Sequence, residues 1–273
     1  MSYITRRIIN GKIYYSGAKK EDIPRIKSIK IPPMWTGVKI DKKENSKIQA
    51  TGYDSKGRKQ YIYNKNFVEK NKKLKFDKLK TFDYSKYSRV LNHYISKMDL
   101  SRECVIANII KLMEDLNIRV GNESYKKQNG SYGITTLLKS HYKNNVLSFV
   151  GKKGIAHIKN IVNPKSQSFI KRVLTINGPN LFYDKNGNTI SSSDLNKFLK
   201  DKVQSNITCK DIRTYCANKI FLTFMNGFKR GSTQKQRKQQ VIEGIDYTAK
   251  QLGNSRKICR DSYLCPKNIN KFI

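Results

Sequence analysis

Hydrophobic and polar positions follow two regimes along the chain. In the first part, alternating or β-branched runs at 36–40, 47–51 and 59–63 predict strands. Asp54, Ser55, Lys56 and Gly57 supply a turn between the last two. From 66 to 82 the pattern becomes a very basic helix carrying Lys70, Lys72, Lys73, Lys75, Lys78 and Lys80. That helix is the expected junction, which divides the chain into a β-rich domain at 1–80 and a mainly helical domain at 81–273. In the second part, Val105, Ile106, Ile109, Leu112, Met113 and Leu116 make the apolar stripe of a helix with Ser101 as its N-cap. A β-hairpin is expected next, with strands at 146–150 and 155–161 around a Gly151-Lys152-Lys153-Gly154 turn. A shorter one is expected to turn at Lys185-Asn186-Gly187-Asn188. Thr208 with Asp211 three residues on is a capping-box pattern that opens a helix to about Phe224. Ser232 is expected to open a long helix that Gly253 stops. A last short helix from Ser255 carries Tyr263. The predicted fold class is α+β, a small N-terminal antiparallel β domain followed by a larger, mainly α-helical domain with a β-hairpin.

Charge narrows the partners. The 273 residues hold 56 Lys+Arg against 20 Asp+Glu, a formal net charge of +36 and a pI of about 10.0. Such a surface repels itself unless a polyanion neutralises it. Double-stranded DNA, with roughly one negative charge per 1.7 Å of axis, is the densest common one. RNA and membrane surfaces compete with it. An AT-rich genome would account for part of the lysine excess but not for the scarcity of acids. No apolar run approaches the roughly 18 residues of a membrane span, and residues 1–10 lack a signal-peptide apolar region. Cys104, Cys209, Cys216, Cys259 and Cys265 form no C-x-x-C pair, which favours a reducing, intracellular compartment. His93, His141 and His157 show no metal-ligand spacing.

Cutting a phosphodiester needs a nucleophile, cations around the phosphate oxygens and an acid for the leaving oxygen. Arg119 lies where an apolar period breaks, and Arg213 lies inside a helix with apolar neighbours Ile212, Ile220 and Leu222. A buried arginine needs an anion, and periodicity alone favours a structural carboxylate over a bound phosphate for each. Lys152 and Lys153 are at a hairpin tip, where lysines are either solvated or free to reach a groove. Tyr263 is one of 16 tyrosines and carries no signature of its own. Composition and spacing end at a DNA binder.

Local strings go further. Ile31-Pro32-Pro33-Met34-Trp35-Thr36 resembles the opening motif of type IB DNA topoisomerases of the poxvirus and bacterial kind. Ile48-Gln49-Ala50-Thr51-Gly52-Tyr53-Asp54 with Gly57-Arg58-Lys59-Gln60-Tyr61-Ile62-Tyr63 is similar to the next. Arg119-Val120-Gly121-Asn122-Glu123-Ser124-Tyr125, Phe149-Val150-Gly151-Lys152, Lys210-Asp211-Ile212-Arg213-Thr214-Tyr215, and Leu252-Gly253-Asn254 with Ser262-Tyr263 follow in the family's order. The resemblance implies the fold shared by type IB topoisomerases and tyrosine recombinases. It also implies an isomerase that relaxes positive and negative supercoils without ATP, metal or other cofactor. In this reading Tyr263 is the nucleophile that takes the 3′ phosphate, Arg119 and Arg213 grip the non-bridging oxygens, and Lys152 protonates the 5′ leaving oxygen. Asn254 holds a fifth catalytic position where poxvirus members have His, which places the chain nearer the bacterial-type branch. Gln60, Tyr61 and Tyr63 match DNA-contacting positions of a clamp domain, and Tyr125 and Lys153 are further expected DNA contacts. Trp35 is expected in the core. The implied partner is double-stranded DNA, with no membrane and a monomeric protein. The implied location is intracellular and DNA-associated, in a virion or viral factory for a virus and in cytoplasm or nucleoid for a bacterium. Relatives usually run further past the tyrosine than Ile273, and the segment after Tyr263 is expected to help hold it. A tyrosine recombinase would normally carry His where Lys210 stands. A non-catalytic DNA-packaging protein would rest on charge alone.

Overall fold

The computed structural model describes residues 3–273. They form two compact units, one ending at Asp77 and the other running from Lys78 to Ile273. In the first, β1 (Tyr3–Ile9), β2 (Lys12–Ser16), β3 (Thr36–Asp41), β4 (Ile48–Tyr53) and β5 (Lys59–Tyr63) make one antiparallel sheet, ordered β2-β1-β3-β4-β5. Helix α1 (Asp22–Ser28) supplies Ile26 to a core with Ile4, Val38, Ile40 and Ala50. Strands β3 and β5 alternate as read from the sequence, whereas β4 forms close to the expected span with Gln49 and Ala50 both buried at a register shift. The first hairpin carries no such pattern through its turn, because Ile4 and Arg6 are buried while Ile8, Ile9 and Ile13 are exposed. Its turn was nonetheless written, since Asn10 and Gly11 both take positive φ, as a two-residue hairpin turn requires.

The Ile-Pro-Pro-Met-Trp string has a structural reason. Arg6 of β1 is buried and donates to the carbonyls of Pro32 (3.0 Å), Pro33 (3.2 Å) and Trp35 (2.5 Å). Prolines offer carbonyls without N–H groups, so this loop depends on an outside donor. Trp35 packs against the small core and lies over Gly52, whose missing side chain leaves it room.

Helix α2 (Lys65–Lys80) carries the boundary between the units. The second unit is built from α3 (Tyr84–Ser96), α4 (Arg102–Leu116), α5 (Glu123–Asn129), α6 (Pro164–Val173), α7 (Ser192–Phe198), α8 (Cys209–Asn226), α9 (Gln234–Leu252), α10 (Arg256–Ser262) and α11 (Pro266–Asn270). A three-stranded sheet, β6 (Tyr142–Lys143), β7 (Val146–Val150) and β8 (Ala156–Asn160), packs among them. The apolar stripe of α4 is buried in a core shared with α3, α6, α7 and the start of α8. A second cluster joins the rest of α8 to α9 and to the chain after Asn254, and it contains Tyr263. The α8 capping box forms as read, Thr208 with Asp211. Asp211 also pairs with Lys78 at 2.6 Å. The long helix is capped by Thr233 instead of Ser232, which bonds Gln236 through its hydroxyl. Around the predicted 185–188 turn only one bridge forms, Tyr183 with Thr189, and Asp184 accepts the loop's N–H groups.

Candidate active site

Three segments of the second unit converge on Arg213. It projects from α8 and is 5% exposed. Its Nη1 donates to the carbonyl of Asn117, which ends α4 in a left-handed cap, and its Nη2 donates to the carbonyl of Leu252 at the end of α9 (2.5 Å). The Tyr263 ring lies beneath the guanidinium at 5.5 Å. No carboxylate meets Arg213 among the described ion pairs, so the expected structural carboxylate is replaced by two carbonyls at helix C-termini. Those ends carry partial negative charge, which holds a cation without neutralising it. Burial pushes the Arg213 ionisation below its ordinary value, the Tyr263 phenol opposes that, and Arg119 adds to it. Its Nε is buried without a partner.

Arg119 is half-buried just past α4, where its carbonyl accepts from Ile134 N at 2.8 Å. Its Nη2 donates to Asn254 Oδ1, again with no carboxylate involved. Gly253 ends α9 in the left-handed conformation, and Asn254 N then donates back to Ala249 O at 2.9 Å. The chain therefore reverses at Asn254 and presents its amide to Arg119. An arginine only donates, so the amide oxygen faces it and Nδ2 is turned away, buried and unpaired. Arg213 Nε and Asn254 Nδ2 are thus two buried donors with nothing to donate to, and Asn117 Oδ1 is a buried acceptor without a partner. Buried donors cost free energy unless an acceptor arrives.

Tyr263 follows α10 and is 7% exposed. Asn218 of α8 fixes the backbone around it. Its Nδ2 donates to Tyr263 O and Thr214 O (2.8 Å each), and its Oδ1 accepts from Cys265 N and Asn268 Nδ2 (2.9 Å each). That uses the full capacity of an amide. Leu264 and Ile269 are buried in the same cluster, and Phe272 and Ile273 pack against it.

Lys152 and Lys153 are exposed on the tip between β7 and β8, where Gly151 N donates to Ile155 O (2.8 Å). Lys153 takes a left-handed φ of 67°. Lys152 Nζ rests over the exposed Tyr125 ring at 5.4 Å. The tip is therefore brought beside α5, the helix that follows Arg119, with its lysine over an aromatic face. Behind the tip, His157 and Lys159 of β8 are half-buried. Burial first, then Lys159, Arg213 and Arg119, lowers the His157 ionisation, and burial and Arg213 lower that of Lys159. Among the described residues no group of three His, Cys, Asp or Glu is placed to hold a metal ion.

In the first unit, Lys59, Tyr61 and Tyr63 share the exposed face of β5. Tyr61 stacks on Tyr63 (6.3 Å) and Tyr63 on Phe67 (6.0 Å), with Lys59 and Lys47 over the ends of the row. Gln60 points to the other face, and its amide is taken by Asp54 at 2.9 Å. Asp54 also holds Arg58, and that hydrogen bond brings its carboxyl down to about 2. The two tyrosines are together and Gln60 is apart from them.

Sequence reading missed Asn218, His157 and Lys159. A polar residue between the core positions Ala217 and Phe221 was the available signal for Asn218. For the other two, an isolated hairpin offered none.

The family described as eukaryotic DNA topoisomerase I, catalytic core, matches residues 59–272. The bacterial DNA topoisomerase IB N-terminal domain matches residues 16–54. DNA topoisomerase 1B of Acanthamoeba polyphaga mimivirus is 35% identical over 261 residues, which covers 89% of this chain and 78% of that protein. DNA topoisomerase 1B of vaccinia virus (strain Copenhagen) is 29% identical over 252 residues, 88% of this chain and 78% of that one. A solved XerA recombinase aligns over 70% of this chain and 61% of its own, at a TM-score of 0.46 and 13% identity. That likeness is too distant to carry an argument.

Proposed function

The chain belongs to the type IB DNA topoisomerases, and on that footing we propose how its own residues cut and reseal a strand of duplex DNA. The observation that carries the reading is the pair of unpaired buried donors, Arg213 Nε and Asn254 Nδ2, in a site with two arginines and no carboxylate. A scissile phosphate would supply what they lack. Tyr263 attacks the phosphorus, an O–P bond forms to the phenol oxygen as the phenol proton passes to solvent, and the bond to the 5′ oxygen breaks. The product is a 3′-phosphotyrosyl link and a 5′ hydroxyl. Charge on the non-bridging oxygens grows at the moment of attack, and donors already in place stabilise it without reorganising. The Arg213 guanidinium, which lies over the Tyr263 ring, sets positive charge beside the attacked phosphate, where negative charge develops.

Lys152 delivers the proton to the departing 5′ oxygen and recovers it on resealing. Its exposed tip lets it leave the Tyr125 face when DNA enters. One phosphate ester replaces another, so resealing draws on the bond energy held in the tyrosyl link and needs no ATP. While the strand is open, the free 5′ end rotates and supercoils of either sign relax. The Tyr61–Tyr63 face of β5, with its lysines, offers phenol hydroxyls and positive charge to a phosphate backbone. Gln60 would have to leave Asp54 before reading a base.

Relaxation of supercoiled plasmid in EDTA without ATP tests the reading. Wild type is expected to relax it, and denaturant added mid-reaction should trap protein on the 3′ end. Tyr263→Phe should lose both while still binding duplex. Relaxation that survives in Tyr263→Phe would remove the tyrosine from its role.

A further inference from the structure

His157 takes no part in the steps above, yet its ring touches both segments that position them. It stacks on Phe149 with centroids 5.0 Å apart and planes 17° apart. A Cβ at Gly151 would stand 2.7 Å from its Cδ2 and Nε2. A Cβ at Gly253 would stand 2.3 Å from its Cε1. Those glycines immediately precede Lys152 and Asn254. Gly253 also serves a left-handed helix end, but Gly151 has φ −94° and ψ −167°, which any residue adopts. Gly151 is therefore glycine for room, and the room is filled by the imidazole. Two residues on, Lys159 Nζ bonds Gln251 O at 2.8 Å, so β8 is fastened to the end of α9 beside Gly253.

We infer that His157 is a positioning residue, an imidazole wedge that sets the Lys152 tip and the Asn254 turn at a fixed separation for the Tyr263 reaction. The inference rests on the roles proposed for Tyr263 and Lys152. A wedge in this place has to be neutral. Lys159 faces it from its own strand, Arg213 from α8 and Arg119 from the loop after α4, and burial with these three cations keeps the proton off. A flat, uncharged ring can be packed among them where a further cation could not.

The test separates positioning of the acid from general packing. Single-turnover cleavage is measured on duplexes whose leaving atom is either the ordinary 5′ oxygen or a 5′-bridging sulfur. A thiolate departs without a proton, so the sulfur-to-oxygen rate ratio reports how well Lys152 is placed. In His157→Ala the oxygen substrate is expected to slow by about tenfold or more, within the range a general acid supplies, and the sulfur substrate much less, so the ratio rises. Gly151→Ala should raise it too, by pushing on the ring. Combining the two should slow cleavage no further than His157→Ala alone, because the clash goes with the ring. An unchanged ratio in His157→Ala, at any absolute rate, overturns the inference, as does a multiplicative loss in the double variant. Should His157→Ala not fold, the ratio in Gly151→Ala decides alone. A wild type that cleaves neither substrate overturns the Tyr263 reading together with this one, whereas an active wild type with an unchanged ratio overturns this one only.

Discussion

At the scale of the residue, the site is made of side chains that are satisfied on one side only. Arg213 gives two donors to helix-end carbonyls and keeps Nε. Asn254 gives its oxygen to Arg119 and keeps Nδ2. This division predicts which replacements at 254 succeed. A neutral histidine has one accepting and one donating nitrogen, so Asn254→His can take the bond from Arg119 and still donate outward. Cleavage by that variant is expected within about tenfold of wild type. Aspartate accepts and cannot donate, and it sets a negative charge where the phosphate oxygens would lie. Asn254→Asp is expected to cut single-turnover cleavage by about 10²–10³-fold, the usual cost of losing one such donor. Equal rates for asparagine and aspartate would show that Nδ2 does not act on the phosphate.

At the scale of the element, α8 organises the site. Its capping box sets where the helix starts, its first half carries Arg213 in the larger core, and its second half packs against α9. Between these halves Asn218 ties the backbone on both sides of Leu264 to the helix. The tyrosine is therefore placed by the helix that carries the arginine and not by α10 alone. Asn218→Ala leaves Cys265 N–H and Tyr263 O without their partners. Each such loss costs about 1–3 kcal/mol when buried. The variant is expected to melt earlier and to cleave at least about tenfold more slowly, with duplex affinity unchanged because no surface cation is lost. A variant that cleaves at the wild-type rate would free Tyr263 from this clamp.

At the scale of the whole molecule, charge and burial set how solution conditions act. With a net charge of +36, duplex binding should release many counterions. The logarithm of affinity should fall linearly with the logarithm of salt, by about 0.9 for each phosphate neutralised. A flat response would contradict the electrostatic reading. Stability should depend on pH through two histidines. Burial, with Lys126 for His141 and with Lys159, Arg213 and Arg119 for His157, lowers both ionisations below the ordinary 6.5. His141 Nδ1 also accepts from Leu138 N at 3.0 Å, a bond that only the neutral ring makes. In both cases the unfolded chain takes up the proton more readily. Their contribution is therefore complete above about pH 6.5 and is lost as pH falls toward the lowered folded values. Melting temperature should drop between pH 7 and pH 5, and less so in His141→Gln. An equal drop in that variant would exclude His141 as a cause.

Sequence by itself determined the elements whose signals are local. The alternation of β3 and β5, the stripe of α4, the Thr208–Asp211 box and the Gly253 stop depend on neighbours a few residues away, and each formed where it was read. Motif order also gave the family and drew attention to Arg119, Lys152, Arg213, Asn254 and Tyr263. The first hairpin was not read, because its residues about the turn are exposed on both faces, and the cap of the long helix fell to Thr233 instead of Ser232 because two adjacent hydroxyls compete for it. Only the tertiary structure decided what the charged groups meet. The expected carboxylate beside Arg213 proved to be the carbonyls of Asn117 and Leu252, residues 96 and 39 positions away. Asn218 likewise acquires Tyr263, Cys265 and Asn268 from beyond α9, and His157 acquires Gly253 from the end of α9. Periodicity reports which side of an element faces inward. It does not report what waits there, because that depends on which distant helix ends and turns the core brings together.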